Sequence, residues 1–161
     1  MDFETLPCGC PAIVDEDWDL VERDADDTVF FAQPLFMFFH MPLARKRALK
    51  KVDEAFIKFG LSPAEPRLEL MKDGLFRGAI MVAVNERTPE AEKRLNTWQG
   101  AKLISKVVSG NRRQTSAAVS GLLSYIRSKT EQHPKDVYFW RLDCESCGEK
   151  GSSRTVILAA L

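Results

Sequence analysis

The chain has 161 residues, of which 45% are apolar and 29% are charged. These values are typical of one globular domain and exclude a disordered, collagen-like or coiled-coil chain. The 23 basic and 23 acidic residues give a formal net charge of zero, so overall charge predicts neither a nucleic-acid partner nor a membrane partner. Because the N-terminal residues lack a signal-peptide pattern and no apolar run could span a bilayer, we expect a cytoplasmic protein with a single domain over residues 1–161.

Charge is distributed unevenly along the sequence. Residues 1–27 contain ten acidic residues and one basic residue, whereas residues 28–161 contain thirteen acidic and twenty-two basic residues. This division predicts an acidic N-terminal segment followed by the core of the domain. The segment also carries Trp18 and Leu20, which argue against a free tail. It either keeps the protein soluble or lies against a basic surface that includes Arg45 and Arg47.

The first half of the core predicts a strand, a helix and a hairpin. Residues 28–41 are rich in Val, Phe and Met and predict a buried strand, in which Pro34 marks an edge, a bulge or a break. Apolar residues at helical spacing predict a helix over 43–59, and the glycine that follows would end it. A Lys-Asp-Gly turn then separates two strands, 67–73 and 75–84.

The second half predicts two further helices and two final strands. Thr88 and the proline after it form a favourable helix start, and an apolar stripe continues to Val108. Another helix is predicted over 113–130, with Ala118, Leu122, Tyr125 and Ile126 facing inward. The last two strands are predicted at Val137–Asp143 and Thr155–Leu161.

These elements predict an α+β fold, a mainly antiparallel sheet with helices on one face. Their order is β-α-β-β-α-α-β-β, which is ferredoxin-like once the extra helix and the last strand are removed. We see no internal sequence repeat. The fold class by itself indicates no activity, because this architecture supports many functions.

The four cysteines form two close pairs, and this arrangement predicts a metal site. Cys144 and Cys147 are separated by two residues and followed by a glycine, and they resemble one knuckle of a zinc ribbon or rubredoxin-type site. Cys8 and Cys10 are separated only by Gly9, which is tighter than a standard knuckle. Four thiolates suit tetrahedral zinc and leave no open coordination position, so a structural zinc ion is the leading interpretation.

The predicted zinc site would tie the N-terminal segment to the final hairpin. Iron in a four-cysteine site and a redox-active pair of thiols remain alternatives. In a cytoplasmic protein, where thiols stay reduced, structural disulfides are not expected.

Two basic clusters are candidate anion-binding sites. The first helix begins with Arg45, Lys46 and Arg47, although cations at a helix N-terminus oppose the helix dipole. The second cluster, Asn111, Arg112 and Arg113, lies at the predicted start of a helix, where free N–H groups and guanidinium groups can bind an anion. Helix capping with solvated arginine side chains is the simpler interpretation of both clusters.

No known catalytic motif is present, and we assign no catalytic residue. His40 and His133 lack neighbours that would complete a catalytic set, and the Phe residues of 30–39 are predicted to pack in the core. We therefore predict a zinc-containing, non-catalytic binding or regulatory module for an anionic ligand or an acidic protein. One alternative is an enzyme that acts on a small anionic substrate near Arg112 and Arg113. A second alternative is an iron-containing electron-transfer protein.

Overall fold

The computed structural model describes residues 3–98, 100–144 and 153–161, which form eleven strands and two α-helices. The strands are β1 (Glu4–Thr5), β2 (Pro11–Ala12), β3 (Glu22–Asp24), β4 (Val29–Phe38), β5 (Met41–Pro42), β6 (Glu69–Lys72), β7 (Arg77–Val84), β8 (Leu95–Thr97), β9 (Lys102–Gly110), β10 (Asp136–Arg141) and β11 (Ser153–Ala160). The helices are α1 (Arg45–Phe59) and α2 (Arg112–Thr130). Contacts divide the chain into a contiguous unit, Asp26–Gln99, and a split unit, Met1–Ala25 with Gly100–Leu161.

The contiguous unit is an antiparallel sheet with one helix. Its strands pair in the order β6-β7-β4, and the short strands β5 and β8 also pair with β4. Helix α1 packs against β4, where the ring of Phe31 lies 5.6 Å from that of Phe56 and 6.3 Å from that of Phe59. The helix predicted over 43–59 is therefore confirmed, and Gly60 ends it in the left-handed conformation that glycine adopts readily.

The predicted strand and hairpin of this unit are also confirmed. Strand β4 continues through Pro34, which pairs with Ala79 of β7. On the other side of β4, the described pairing partners reach only its two ends, Val29–Phe31 and Met37–Phe38. Pro34 thus lies at a local sheet edge. No described strand pairs with it on that side, so the N–H that proline lacks is not needed for a hydrogen bond between strands.

The split unit is a second antiparallel sheet with one helix. Its strands pair in the order β3-β9-β11-β10, and β1 forms a small hairpin with β2. Leu122 and Ile126 of α2 are buried against Ile104 of β9 and Ile157 of β11. This agrees with the predicted inward face of the helix over 113–130 and with the two predicted final strands.

The helix predicted from Thr88 to Val108 is wrong. Glu92–Arg94 forms one 3₁₀ turn, and the chain then continues as strands β8 and β9. Thr88 does begin a turn, but the helix predicted after it does not form. Strand β9 is rich in β-branched residues and pairs along its length with β11, so sheet pairing outweighs the helical spacing of its apolar residues.

The corrected order contains an internal structural repeat that the sequence analysis missed. β4-α1-β6-β7 and β9-α2-β10-β11 are each a strand-helix-strand-strand unit. In each unit the first strand pairs with the third, and the third pairs with the second. The α+β class and the antiparallel sheets are thus confirmed, whereas the two consecutive helices of the predicted ferredoxin-like order are not found. Neither described helix has an apolar stretch long enough to cross a bilayer.

Candidate metal centre

Three of the four cysteines converge in the split unit. The Sγ atoms of Cys8, Cys10 and Cys144 all lie within 4.8 Å of one another. Cys10 is buried, Cys144 is partly buried and Cys8 is exposed. The fourth predicted ligand, Cys147, lies outside the described residues. The structure therefore brings together thiols from two distant parts of the sequence, as the pairing of cysteines predicted.

The first two thiols are positioned by the turn between β1 and β2. The N–H of Leu6 donates to the carbonyl of Cys10 at 2.8 Å, and the N–H of Gly9 donates to the carbonyl of Leu6 at 2.8 Å. Gly9 has φ +81°, a backbone conformation that residues other than glycine rarely adopt. This glycine allows a turn tight enough to present both sulfurs on one side.

The third thiol follows β10, in a segment that hydrogen bonds hold to β11. The N–H of Leu142 donates to the carbonyl of Arg154 at 2.9 Å. The carboxylate of Asp143 accepts from the N–H of Arg154 at 3.0 Å and from Nε of Arg141 at 3.2 Å. Both oxygens of Asp143 thus have donors, and this carboxylate ties the residue directly before Cys144 to β10 and β11.

Arg154 connects the N-terminal segment to the strand beside the thiols. Its guanidinium donates to the carbonyl of Ile13 at 2.8 Å and forms an ion pair with Asp15. The sequence around Arg154 indicates no role for it, since nothing local distinguishes it from the other cations. Only the fold brings it opposite residues near the other end of the chain.

Aromatic packing holds the same segment to β10. The Trp140 ring lies 4.7 Å from that of Phe3 and 5.2 Å from that of Trp18. Trp18 is buried, and its carbonyl accepts from the Ser105 hydroxyl at 2.6 Å. Arg23 lies 3.9 Å above the Trp18 ring, and partial burial lowers the pKa of its guanidinium. The thiols therefore lie in a segment that apolar contacts already fix.

The acidic segment lies on a basic strand of its own unit. Asp19 forms an ion pair with Lys106 at 3.3 Å, and Glu22 forms one with Lys102 at 2.8 Å. The hydrogen bond and charge of Lys102 lower the pKa of Glu22 below its ordinary value. Arg45, which the sequence analysis placed in the basic surface for this segment, forms an ion pair with Glu69 at 2.6 Å.

The thiol cluster has the composition and size of a metal site. Four sulfurs at about 2.3 Å from a tetrahedral zinc ion lie about 3.8 Å apart, and the three described sulfurs all lie within 4.8 Å of one another. A disulfide between two of them would require a separation of about 2 Å and would leave the third thiol over. A bound divalent cation would also balance the negative charge that the thiolates bring together.

The second predicted site, at the start of α2, is occupied in part by helix capping. The Asn111 side chain accepts from the N–H groups of Arg113 and Gln114, and the Gln114 side chain accepts from the N–H of Asn111. These bonds use N–H groups that an anion would otherwise bind. An open depression remains beside them, lined by Arg112, Arg113, Ser116, Ala117 and Ser120.

The histidines and phenylalanines set aside in the sequence analysis do not join either site. Nδ1 of His40 lies 2.8 Å from an oxygen of Asp73, in the contiguous unit. Phe30 and Phe31 are buried as predicted, but Phe36, Phe38 and Phe39 are exposed. The prediction that the whole Phe run packs in the core is therefore wrong for its second half.

The fold and the thiols define an α+β protein with a cysteine cluster that could hold a metal ion. A sequence model of the bacterial hydrolase family matches residues 2–161. The chain therefore belongs to the bacterial hydrolase family. No curated protein matches it.

Proposed function

We propose that this chain is a hydrolase stabilised by one structural zinc ion bound to Cys8, Cys10, Cys144 and Cys147. The observation that carries the zinc proposal is the convergence of three Sγ atoms within 4.8 Å. Membership of the bacterial hydrolase family favours an enzyme over the non-catalytic module that the sequence analysis preferred. Hydrolysis needs no electron transfer, so a redox-active iron centre has no evident use here.

Two features favour a structural role for the zinc ion. A fourth thiolate from Cys147 would complete the tetrahedron and leave no position for a water molecule. Among the described residues, no His, Asp or Glu joins the cluster, and the carboxylate directly before Cys144, that of Asp143, is already hydrogen-bonded. A catalytic zinc ion would need both an open position and a group to accept a proton.

The substrate proposal concerns the depression at the start of α2. Arg112 and Arg113 supply guanidinium groups that bind carboxylate or phosphate in a forked geometry. The serine hydroxyl of Ser120 donates to the carbonyl of Ser116 at 3.2 Å, so we give it no nucleophilic role. We propose that an anionic group of the substrate binds here and that the reacting bond lies beyond the depression.

Metal analysis of freshly purified protein tests the zinc proposal. We expect one zinc ion per chain, and we expect cobalt to replace it with the intense thiolate charge-transfer absorption of a four-sulfur site. Cys144→Ser should reduce the zinc content, whereas Cys144→His should retain it, because histidine is also a zinc ligand. Protein that contains no stoichiometric metal would refute the proposal, and red or brown protein would indicate iron.

A cobalt-substituted sample also separates a structural ion from a catalytic one. If the ion is structural, adding a competitive inhibitor should leave the cobalt spectrum unchanged, because no ligand position is open. A spectral change on inhibitor binding would show that the inhibitor reaches the metal and would overturn the structural role.

Kinetics on a panel of aryl esters, with and without a carboxylate or phosphate group, tests the substrate proposal. Arg113→Gln should raise KM for the anionic substrates about tenfold with kcat unchanged, since a hydrogen bond to a charged group contributes about 1.5–3 kcal/mol. Arg127→Gln, in the last turn of the same helix, is the matched control. Equal effects of the two variants would reject the site, and no hydrolysis of any ester on the panel would reject ester hydrolysis as the activity.

A further inference from the structure

The hairpin end of the contiguous unit carries a cluster of exposed apolar side chains, which we call the aromatic tip. Its members come from the end of β4, the loop between β4 and β5, the segment between β5 and α1, and the turn between β6 and β7. Each is between 44% and 64% exposed. They are Phe36, Phe38, Phe39, Leu43, Leu75 and Phe76. A group of exposed apolar side chains on a folded protein is typical of an interaction surface.

The turn at the aromatic tip holds an aromatic residue in an unfavourable conformation. Phe39 and His40 form the two-residue loop between β4 and β5, with φ of +46° and +63°. Loops with positive φ at both positions normally contain Asn-Gly, because residues with larger side chains are disfavoured there. Phe39 remains 53% exposed, so burial of its ring in the core does not offset that disadvantage.

The aromatic tip is also held in a defined arrangement. The Phe39 ring lies 4.9 Å from that of Phe38 and 5.7 Å from that of Phe76. The N–H of Met37 donates to the carbonyl of Phe76 at 2.9 Å, and the N–H of Leu43 donates to the carbonyl of Phe36 at 2.9 Å. Backbone bonds thus join the three segments of the tip and keep the rings together outside the core.

Cations surround the aromatic tip. Residues 35–47 and 72–77 together contain five basic residues and one acidic residue, Asp73, which is paired with His40. Lys46, Arg47 and Arg77 are exposed, and none of them forms an ion pair with a described residue. Arg77 of β7 is the strand-pairing partner of Phe36 of β4.

The position of the cations in α1 is a second sign of a charged partner. Helix α1 has no acidic residue in its first turn and no side-chain cap, and it begins instead with Arg45, Lys46 and Arg47. Cations there oppose the helix dipole and reduce helix stability. A negatively charged surface beside this turn would reverse the sign of that effect.

We propose that the aromatic tip binds the surface of an anionic lipid bilayer. Exposed rings with surrounding cations match the interfacial region of such a membrane, where apolar side chains enter between headgroups and Lys and Arg contact them. A second copy of the chain is a poorer partner, because it would bring the same cations together. The net charge of the whole chain is zero and does not reveal this local basic patch. The proposal therefore replaces the earlier expectation of no membrane partner.

Flotation of the full-length protein with lipid vesicles tests this proposal. The protein should bind vesicles of phosphatidylcholine with a one-third share of phosphatidylglycerol and should not bind pure phosphatidylcholine. Phe39→Asn removes the ring but suits a positive φ, so this variant should fold and bind about tenfold more weakly. The Lys46→Gln and Arg47→Gln substitutions should each weaken binding about fivefold, and added salt should weaken binding by the parent chain.

Two matched variants serve as controls. Ile57→Asn removes an apolar side chain that is 86% exposed near the other end of α1, and Lys58→Gln removes a cation beside it. Both should bind the vesicles as the parent chain does. The proposal is overturned if these controls weaken binding as much as the tip variants, or if the parent chain binds neither kind of vesicle. It is also overturned if Phe39→Asn abolishes self-association and leaves vesicle binding unchanged.

Discussion

The two units of this chain share one topology but begin their helices in opposite ways. Helix α2 of the split unit starts with Asn111 in a complete capping box. Helix α1 of the contiguous unit starts after Ala44, which has φ +56° and forms no side-chain cap. The same strand-helix-strand-strand plan therefore has a well-capped helix in one unit and an unfavourable helix start in the other.

The core packing of the two units differs in a similar way. Phe31 of the contiguous unit packs against Phe56 and Phe59 from its own helix. Trp140 of the split unit packs against Phe3 and Trp18, which precede the repeated elements. The split unit thus depends on the N-terminal segment, and its thiol cluster lies in that dependent region. The contiguous unit takes its additional packing from residues after the repeat, since the Trp98 ring lies 4.6 Å from that of Phe30, and it also carries the aromatic tip.

Deleting the two central rings should give the largest effects and should separate these two kinds of packing. Trp140→Ala and Phe31→Ala should each lower the free energy of unfolding by about 3–5 kcal/mol, because both side chains are fully buried. Trp140→Ala should also release the N-terminal segment, seen as faster hydrogen exchange at the Leu20 and Ser105 amides. Phe31→Ala should leave those amides protected.

The ring comparison fails if the two variants have the same exchange pattern. Denaturant unfolding gives the free energies, and Trp140→Phe with Phe31→Leu are the conservative controls, for which we expect smaller losses. Unchanged exchange at Leu20 in Trp140→Ala would show that the thiol cluster and Arg154 hold the segment without the rings.

The two helix starts should respond to substitution in opposite directions. Asn111→Ala removes a satisfied cap and should lower the free energy of unfolding by about 1 kcal/mol. Ala44→Gly relieves a positive φ and should raise it by about 0.5–1 kcal/mol, after the greater freedom of glycine in the unfolded chain is subtracted. Thermal unfolding of both variants measures these changes. Destabilisation by Ala44→Gly would mean that α1 has no strain at its start.

The smallest effects should come from two exposed carboxylates, Glu22 in the split unit and Glu86 in the contiguous unit. The pKa of Glu22 is lowered mainly by its hydrogen bond to Lys102, and that of Glu86 by the hydroxyl and N–H of Ser62. A lowered pKa means that each carboxylate stabilises the fold above its unfolded-state pKa and loses this effect as pH falls through the folded-state pKa.

NMR titration of the two carboxylates should separate these causes. Lys102→Gln should raise the pKa of Glu22 most of the way towards its ordinary value, since Lys102 is the main cause of the shift. Ser62→Ala should raise the pKa of Glu86 only in part, because the N–H of residue 62 still donates to the carboxylate. High salt should reduce the shift of Glu22 more than that of Glu86, because salt screens a charged partner more than a neutral hydroxyl. Equal sensitivity to salt would contradict the assigned causes.

The sequence was most informative where local chemistry determines structure. Apolar spacing and turn residues predict helix α1 with its end at Gly60, helix α2, and the hairpin of β6 and β7. The pairing of Cys8 and Cys10 with Cys144 followed from the number of cysteines and the needs of a metal ion.

The sequence failed where long-range pairing decides the outcome. Strand β9 has apolar residues at positions that suit a helix as well as a strand, and its pairing with β11 cannot be seen locally. Assigning β9 to a helix hid the structural repeat. The second strand-helix-strand-strand unit can be recognised only when β9 is assigned as a strand. The exposed rings beyond Pro34 were also missed, since composition does not distinguish a buried Phe from an exposed one.

The interruption of the split unit has a consequence for synthesis of the protein. Residues Asp26–Gln99 are contiguous, so they can form their contacts while later residues are still being added by the ribosome. Cys10 precedes Cys144 by 134 residues, so Cys8 and Cys10 leave the ribosome well before the thiol that lies beside them. At about 5–20 residues added per second, the first two thiols wait for about 7–27 seconds without their partner. During that interval they are exposed to oxidation and to competing metal ions, and the cluster can close only after Cys144 has been made.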